Sequence, residues 1–349
     1  MNRNRKIAGN VALAALVIAA VFGLAGCEGK KQVRQETAPG EKFKLRAVTQ
    51  TTFSETIIAD RLGFFADEGI EIEYVGSLGQ GVSQYQAVDQ GYIDVFTQGH
   101  PSAVGQARLA GLRITQVAPG FIDDPDNPHI MYLVREDSPY QTLDDLGRLG
   151  AQVAMGGTFS PCTNGYLVYY LTSKGYDPDE SIEFVTFGRS GTAEQALVNG
   201  LIDVTTSHTP YGGVALAAGG VRLLARSWDI FESPGAGLAA RGFSDKFSEE
   251  HPDVVQGFVN AMYRARVFIE NNNEYARIVG GEYLGLDPGE ISSNSYDQNK
   301  NIDPKYVEEW WRIAEFIGLW EHGDIEPEEV YTNAFVPEDI PESDWAIGR

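Results

Sequence analysis

The side chains best equipped for chemistry are two histidines, one arginine and one cysteine, each set in a loop that follows a short apolar run. His100 lies in Thr97-Gln98-Gly99-His100-Pro101-Ser102 and His208 in Thr206-Ser207-His208-Thr209-Pro210-Tyr211. Arg189 lies in Gly188-Arg189-Ser190-Gly191-Thr192, and Cys162 follows Ser160-Pro161. A metal site built on the two histidines needs a third ligand at metal spacing, and an acid–base pair needs a carboxylate beside one of them. Neither neighbour is present in the sequence, so both rings read as neutral hydrogen-bond donors, with no metal, no cofactor and no catalytic role. Cys162 lacks an activating neighbour and reads as a small buried residue. Arg189 can grip a sulfonate or carboxylate through two charge-assisted hydrogen bonds.

Three further loops share the same Gly, Ser and Thr character and hold almost no carboxylate. They are Gln50-Thr51-Thr52-Phe53, Gly79-Gln80-Gly81-Val82-Ser83 and Gly156-Gly157-Thr158-Phe159-Ser160. Uncharged donors at the start of helices suit an anion without a full positive charge. The expected ligand-binding set is therefore Gln50, Thr51, Thr52, Phe53, Gln80, Gly81, Ser83, Gln98, His100, Ser102, Thr158, Phe159, Ser160, Arg189, Ser190, Thr192, His208 and Tyr211. The competing reading is ordinary turn and cap chemistry, which accounts for each loop taken singly.

The elements that must carry these loops alternate between strand and helix, which indicates an α/β fold. Strand-like runs fall at 44–48, 69–75, 92–97, 112–117, 130–135, 151–154, 182–187 and 202–205. Helical patterns fall at 54–65, 82–91, 138–149, 164–175 and 192–200, and then at 249–271 and 306–320. One phrase occurs twice: Ala87-Val88-Asp89-Gln90-Gly91-Tyr92-Ile93-Asp94-Val95 and Ala196-Leu197-Val198-Asn199-Gly200-Leu201-Ile202-Asp203-Val204. A repeat separated by about a hundred residues implies two similar lobes and not a short-period solenoid. Trp310, Trp311 and Trp320 lie at helical spacing and read as core.

The first residues decide the compartment. Arg3, Arg5 and Lys6 precede the uncharged apolar stretch 11–24, which ends in Leu24-Ala25-Gly26-Cys27. This is the build of a secretory signal peptide, too short to span a bilayer comfortably. The tetrad resembles a bacterial lipobox, which implies cleavage after residue 26 and a diacylglycerol on Cys27. Residues 28–42 are polar and lack periodicity, as a flexible tether does. The chain carries 27 Lys and Arg against 49 Asp and Glu, and losing the three positive charges of the signal takes the formal net charge from −22 to −25. Such a body repels nucleic acid and anionic lipid. With Cys27 committed to lipid, Cys162 has no partner for an intramolecular disulfide.

Five phrases in order carry a family resemblance: residues 59–75 (ADRLGFFADEGIEIEYV), 87–95, 133–146 (LVREDSPYQTLDDL), 175–178 and 196–204. Across residues 44–265 the chain resembles the taurine, nitrate and aliphatic-sulfonate binding proteins of bacterial ABC importers, a group that includes binding proteins for thiamine precursors. The resemblance implies a two-lobed type II periplasmic-binding-protein fold, each lobe a mixed sheet flanked by helices, with two crossing strands as hinge. It implies lobe 1 over 43–134 plus 234–349 and lobe 2 over 135–233. It implies a monomeric receptor, lipid-anchored outside the cytoplasm, that closes on a small anionic solute and docks on a permease and ATPase encoded as separate chains. The thiamine-precursor members usually carry an aromatic pair in the first cleft loop, where this chain has Phe53 alone, so a heteroaromatic solute is the alternative. A surface sensor, a structural surface lipoprotein and a cytosolic enzyme on the same fold are the rivals of other classes, and the lipobox opposes the last.

Overall fold

A computed structural model describes residues 41–78, 83–156, 160–187, 191–208, 211–289, 291, 294–341 and 345. The signal segment, Cys27 and most of the tether lie outside the described residues. Among those described, no helix is long and apolar enough to cross a membrane.

Strand β1 (Phe43–Ala47) pairs in parallel with β2 (Ile70–Tyr74), with Phe43 opposite Ile70 and Ala47 opposite Tyr74. Parallel pairing needs a crossover, supplied here by helices Glu55–Arg61 and Phe64–Asp67. The sequence predicts one helix over this stretch. It breaks at Gly63, whose φ of +81° lies in the left-handed region that only glycine enters freely.

Two larger sheets follow. In the first, β11 (Ala240–Ser244) lies between β3 (Val95–Gly99) and β4 (Ile114–Ala118), antiparallel to both. In the second the order is β10-β6-β9-β7-β8, from Val221–Arg226, Met131–Arg135, Val204–Ser207, Ala151–Gly156 and Ile182–Phe187. There β7 runs parallel to β8 and β9, while β6 is antiparallel to β9 and β10. The chain thus joins the five-stranded sheet at β6, leaves it after β10, and regains the first sheet through the 3-10 turn Pro234–Gly237. A short pair, β5 (Phe121–Ile122) with β12 (Ser295–Tyr296), completes the set. The repeated strand–helix pattern and the mixed α/β class match the sequence reading. Strand β10 and helices Pro101–Leu109, Tyr211–Ala218 and Asn273–Leu284 lack a clear period and emerge only in the structure.

The duplicated phrase has a structural meaning. In the first copy Tyr92 N–H donates to Ala87 O at 2.8 Å and Gly91 N–H to Val88 O at 3.1 Å, and in the second Leu201 donates to Ala196 at 2.9 Å and Gly200 to Leu197 at 2.9 Å. This is the paired helix-end motif that requires a left-handed glycine, and Gly91 and Gly200 have φ of +72° and +71°. The aspartate that follows then clamps a neighbouring strand, β1 in the first copy and β7 in the second. Asp94 N–H donates to Arg46 O at 2.9 Å while its carboxylate accepts from Arg46 N–H at 2.7 Å. Asp203 N–H donates to Gln152 O at 3.0 Å while its carboxylate accepts from Gln152 N–H at 2.8 Å.

Strand β11 is irregular at Ala240 to Gly242, where the register shifts against both partners. Bulges of this kind re-aim a side chain. Here Arg241 turns fully inward and pairs with Glu55 at 2.6 Å, both side chains wholly buried. Gly242 fits because a methyl there would stand 2.1 Å from Thr115 O. Trp310, Trp311 and Trp320 are 0%, 5% and 6% exposed, which makes them core. Glu55→Ala, which strands the Arg241 guanidinium in the interior, should cost about 3–5 kcal/mol in urea unfolding. Asp67→Ala, at the partly exposed pair with Arg264, should cost less than about 1 kcal/mol. Equal losses from the two would show that burial does not set the weight of the inner pair.

Candidate functional site

In open α/β sheets ligands bind beyond the carboxyl ends of the strands, and the clamped strands send their next residues there. Strand β3 ends at Gly99 and is followed by His100, the residue before helix Pro101–Leu109. Strand β9 ends at Ser207 and is followed by His208. Strand β6 runs antiparallel to β9 with Met131 opposite Ser207, so the residues just before it, His129 and Ile130, come to the same edge. Cys162 lies in the π-turn Pro161–Gly165 that opens helix Tyr166–Ser173 after β7.

These segments meet. The rings of His100 and His129 are 4.9 Å apart and those of His129 and His208 5.0 Å, both edge to face. Cys162 Sγ lies 3.6 Å from His208 Nε2 and 3.1 Å from Ser160 Oγ. Trp310 stacks on His100 at 4.4 Å, and Phe121 stacks on His129 at 5.2 Å. His100 Nδ1 is 2.8 Å from Leu238 O, so Nδ1 carries the proton and donates, and Nε2 keeps its lone pair. His129 is 3% exposed, and its Nε2 has no hydrogen-bond partner among the described residues. Its backbone N–H donates to Asp123 Oδ1 at 2.8 Å, which also accepts from Ser227 Oγ at 2.9 Å.

Burial governs the protonation of the cluster. It pushes His100 and His208 down to about 4 and His129 well below its ordinary value, so all three rings are neutral at pH 7. Burial likewise lifts the Cys162 thiol to about 11 and the Asp123 carboxyl to about 6. A protonated thiol beside a neutral imidazole is not an activated nucleophile.

The other expected residues divide. Gln50 is buried and its amide is spent on Val48 O at 2.9 Å and Thr97 Oγ1 at 3.0 Å. Phe53 is fully enclosed against Gly280, so it presents no face to a cleft. Thr51 is exposed, and Thr52 Oγ1 accepts from Gln98 Nε2 at 3.1 Å. Ser83 caps helix Gln84–Asp89 by accepting from Tyr85 N–H. Ser102 is fully buried at the start of helix Pro101–Leu109, and its Oγ lacks a partner among the described residues. Thr192 is exposed at the start of helix Thr192–Val198, and Tyr211 is half-buried beside Gly191. Gln80, Gly81, Thr158, Phe159, Arg189 and Ser190 lie outside the described residues. The structure therefore gathers His100, Ser160 and His208 and adds His129 and Cys162. His129 sits in no Gly/Ser/Thr loop, and only the antiparallel run of β6 brings it in.

Three desolvated neutral imidazoles, His129 buried and His100 and His208 half-buried, set a pH dependence. Their folded pKa lies below the unfolded value of about 6.5, so the unfolded chain binds more protons as pH falls from 6.5 towards 4, and stability is lost across that window. Asp123, raised in the fold, acts in the opposite sense between about 6 and 4, and so do Asp60, Glu68, Glu270, Asp297 and Glu309, whose carboxyls burial also raises. The His208 share shows as a difference: between about pH 6.5 and 4.5 the melting temperature of His208→Asn should fall less, or rise more, than that of the wild type. Equal slopes for the wild type and the variant would remove His208 from the account.

The profile of the family described as NMT1/THI5 like matches residues 50–276. A protein of Bacillus subtilis (strain 168) named for aliphatic sulfonate binding is 25% identical over 94% of this chain and 96% of its own length. Among solved structures, the periplasmic aliphatic sulphonate binding protein SsuA of Escherichia coli superposes with a TM-score of 0.65 at 18% identity, covering 86% of this chain and 95% of that one. The alkanesulfonate-binding protein SsuA of Xanthomonas axonopodis pv. citri, solved with MOPS bound, gives 0.64 at 17%, covering 85% and 97%. These likenesses show the two-lobed periplasmic-binding-protein fold in which the two sheets lie here. With the profile spanning well over half of its residues, the chain belongs to the NMT1/THI5-like family.

Proposed function

We propose that the chain is the extracytoplasmic receptor of an ABC importer and holds a small organic anion of the alkanesulfonate class between its two sheets. The observation that carries this reading is the convergence of strand ends from both sheets on one side-chain cluster, with His100 contributed by β3 and His208 by β9, each ring against His129. Binding, not turnover, fits a thiol that burial keeps protonated. Among the relatives that match over most of their length, the three described above are named for binding sulfonates. Phe53, enclosed in the core, leaves the first loop without an aromatic face, which favours a sulfonate over a heteroaromatic solute.

In this reading Cys27 carries the lipid and residues 28–42 tether the body outside the cytoplasmic membrane. Residues 43–134 with 234–349 and residues 135–233 act as the two jaws of a monomer. Solute binding shifts the population to the closed state, and that state docks on a separate permease and ATPase. Backbone N–H groups at helix starts and the Arg189 guanidinium supply the pull on the anion.

Calorimetric titration with taurine and short alkanesulfonates should show one saturable site, and an aminopyrimidine should give no heat. Arg189→Ala should weaken the sulfonate by roughly 30–100-fold, the loss of a charged hydrogen-bond partner worth about 2–3 kcal/mol. Absence of heat with every sulfonate, or an unchanged affinity in the variant, defeats the anion reading. Cys27→Ser should lose both palmitate labelling and membrane association in cells, and a variant that stays membrane-bound defeats the lipid anchor.

A further inference from the structure

The fold brings together nitrogen and sulfur donors from four segments of the chain. A ring nitrogen of His100, a ring nitrogen of His129 and Cys162 Sγ all lie within 4.8 Å of one another. His208 Nε2 stands 3.6 Å from the same sulfur. Each donor comes from a different segment, so no spacing in the sequence announces the group. Two details make the nitrogens available. The Nδ1–H of His100 is held by Leu238 O, and anchoring one imidazole nitrogen to a backbone carbonyl is how proteins orient the other toward a metal. His129 is almost wholly buried, yet its Nε2 has no hydrogen-bond partner among the described residues. Nearby, Asp123 accepts from the His129 backbone through Oδ1, while its Oδ2 is also buried without a partner among the described residues.

We propose that His100, His129 and Cys162 form a binding site for a borderline-soft divalent cation of the zinc type, with His208 as the fourth ligand. Thiolate and imidazole donors select such ions over magnesium or calcium, which prefer oxygen. Bonds of about 2.0–2.3 Å in a tetrahedron set donor separations of roughly 3.3–3.8 Å. The donors of His100, His129 and Cys162 reach that spacing by inward shifts on the order of 1 Å, within the reach of small side-chain rotations. On binding, the S–H bond of Cys162 breaks, its sulfur electron pair forms the metal–sulfur bond, and one proton passes to solvent. No oxidant or reductant takes part. A coordinated cation reverses the burial that keeps the free thiol protonated. One thiolate against a divalent ion leaves one positive charge in the crevice, and the Asp123 carboxylate stands one hydrogen bond from the His129 backbone to balance it. The site rests on these donors alone and holds whichever solute the crevice takes.

The test is cobalt(II) added to the chelator-treated full chain, followed by zinc. One cobalt per chain should give a near-ultraviolet thiolate-to-cobalt charge-transfer band and the intense visible bands of a tetrahedral site. One proton should be released per metal, and zinc should bleach the spectrum. Cys162→Ser should abolish the charge-transfer band with unchanged circular dichroism, and His129→Asn should lower cobalt affinity by roughly 100-fold or more, beyond the 10–100-fold typical of outer-shell partners. X-ray absorption of the zinc-loaded wild type, which needs no variant to fold, should show one sulfur among nitrogen neighbours. A wild type with no charge-transfer band, a band that survives Cys162→Ser, or a zinc shell without sulfur would each overturn the proposal.

Discussion

The site depends on where strands β3 and β9 stop, and two aspartates set that. Asp94 and Asp203 each trade a pair of hydrogen bonds with the backbone of a neighbouring strand, through Arg46 of β1 and Gln152 of β7. A backbone N–H and C=O in a sheet must be paired, and a carboxylate that accepts from one neighbour while its own N–H donates to the same residue leaves one register open. With the register fixed, β3 runs from Val95 to Gly99 and delivers His100, and β9 runs from Val204 to Ser207 and delivers His208. A slip of one residue in either strand would turn every side chain to the opposite face. The two imidazoles would then lose their common crevice.

The interior around the crevice tolerates charge only where it is matched. Arg241 is buried against Glu55, and Arg266 spends its guanidinium on the carbonyls of Pro119, Asp297 and Asn299. Burial lowers Arg266 to about 10, which still leaves it charged at neutral pH. The histidines stay neutral, since desolvation penalises the charged ring more than the carbonyl contact of His100 Nδ1 with Leu238 O favours it. Where a buried charge can be paired the fold keeps it, and where it cannot the fold holds the neutral form.

Much of this was legible in the chain. Alternation of short apolar strands with helical stretches gave the α/β class. The twin phrases at 87–95 and 196–204 marked equivalent turns in the two sheets, because a left-handed glycine and the aspartate clamp both demand particular residues. Helices such as Tyr211–Ala218, apolar on all sides, carry no period to read, and β10 lacks the alternation of a half-exposed strand. Tertiary packing decided them.

The loops taken for ligand contacts show the same division. Gln50 and Phe53 follow a strand, as ligand residues do, but the packing of helix Asn273–Leu284 encloses Phe53, and Thr97 claims the amide of Gln50. In the other direction, His129 was invisible as a site residue. Its sequence neighbourhood says nothing of the antiparallel β6 that lays it between His100 and His208. Local rules follow from neighbours along the chain, so the sequence by itself determined the strand–helix order, the paired turns and the acidic charge. Which side chains from distant segments share a few ångströms is settled by sheet order and strand direction, and those arise only when the whole chain packs.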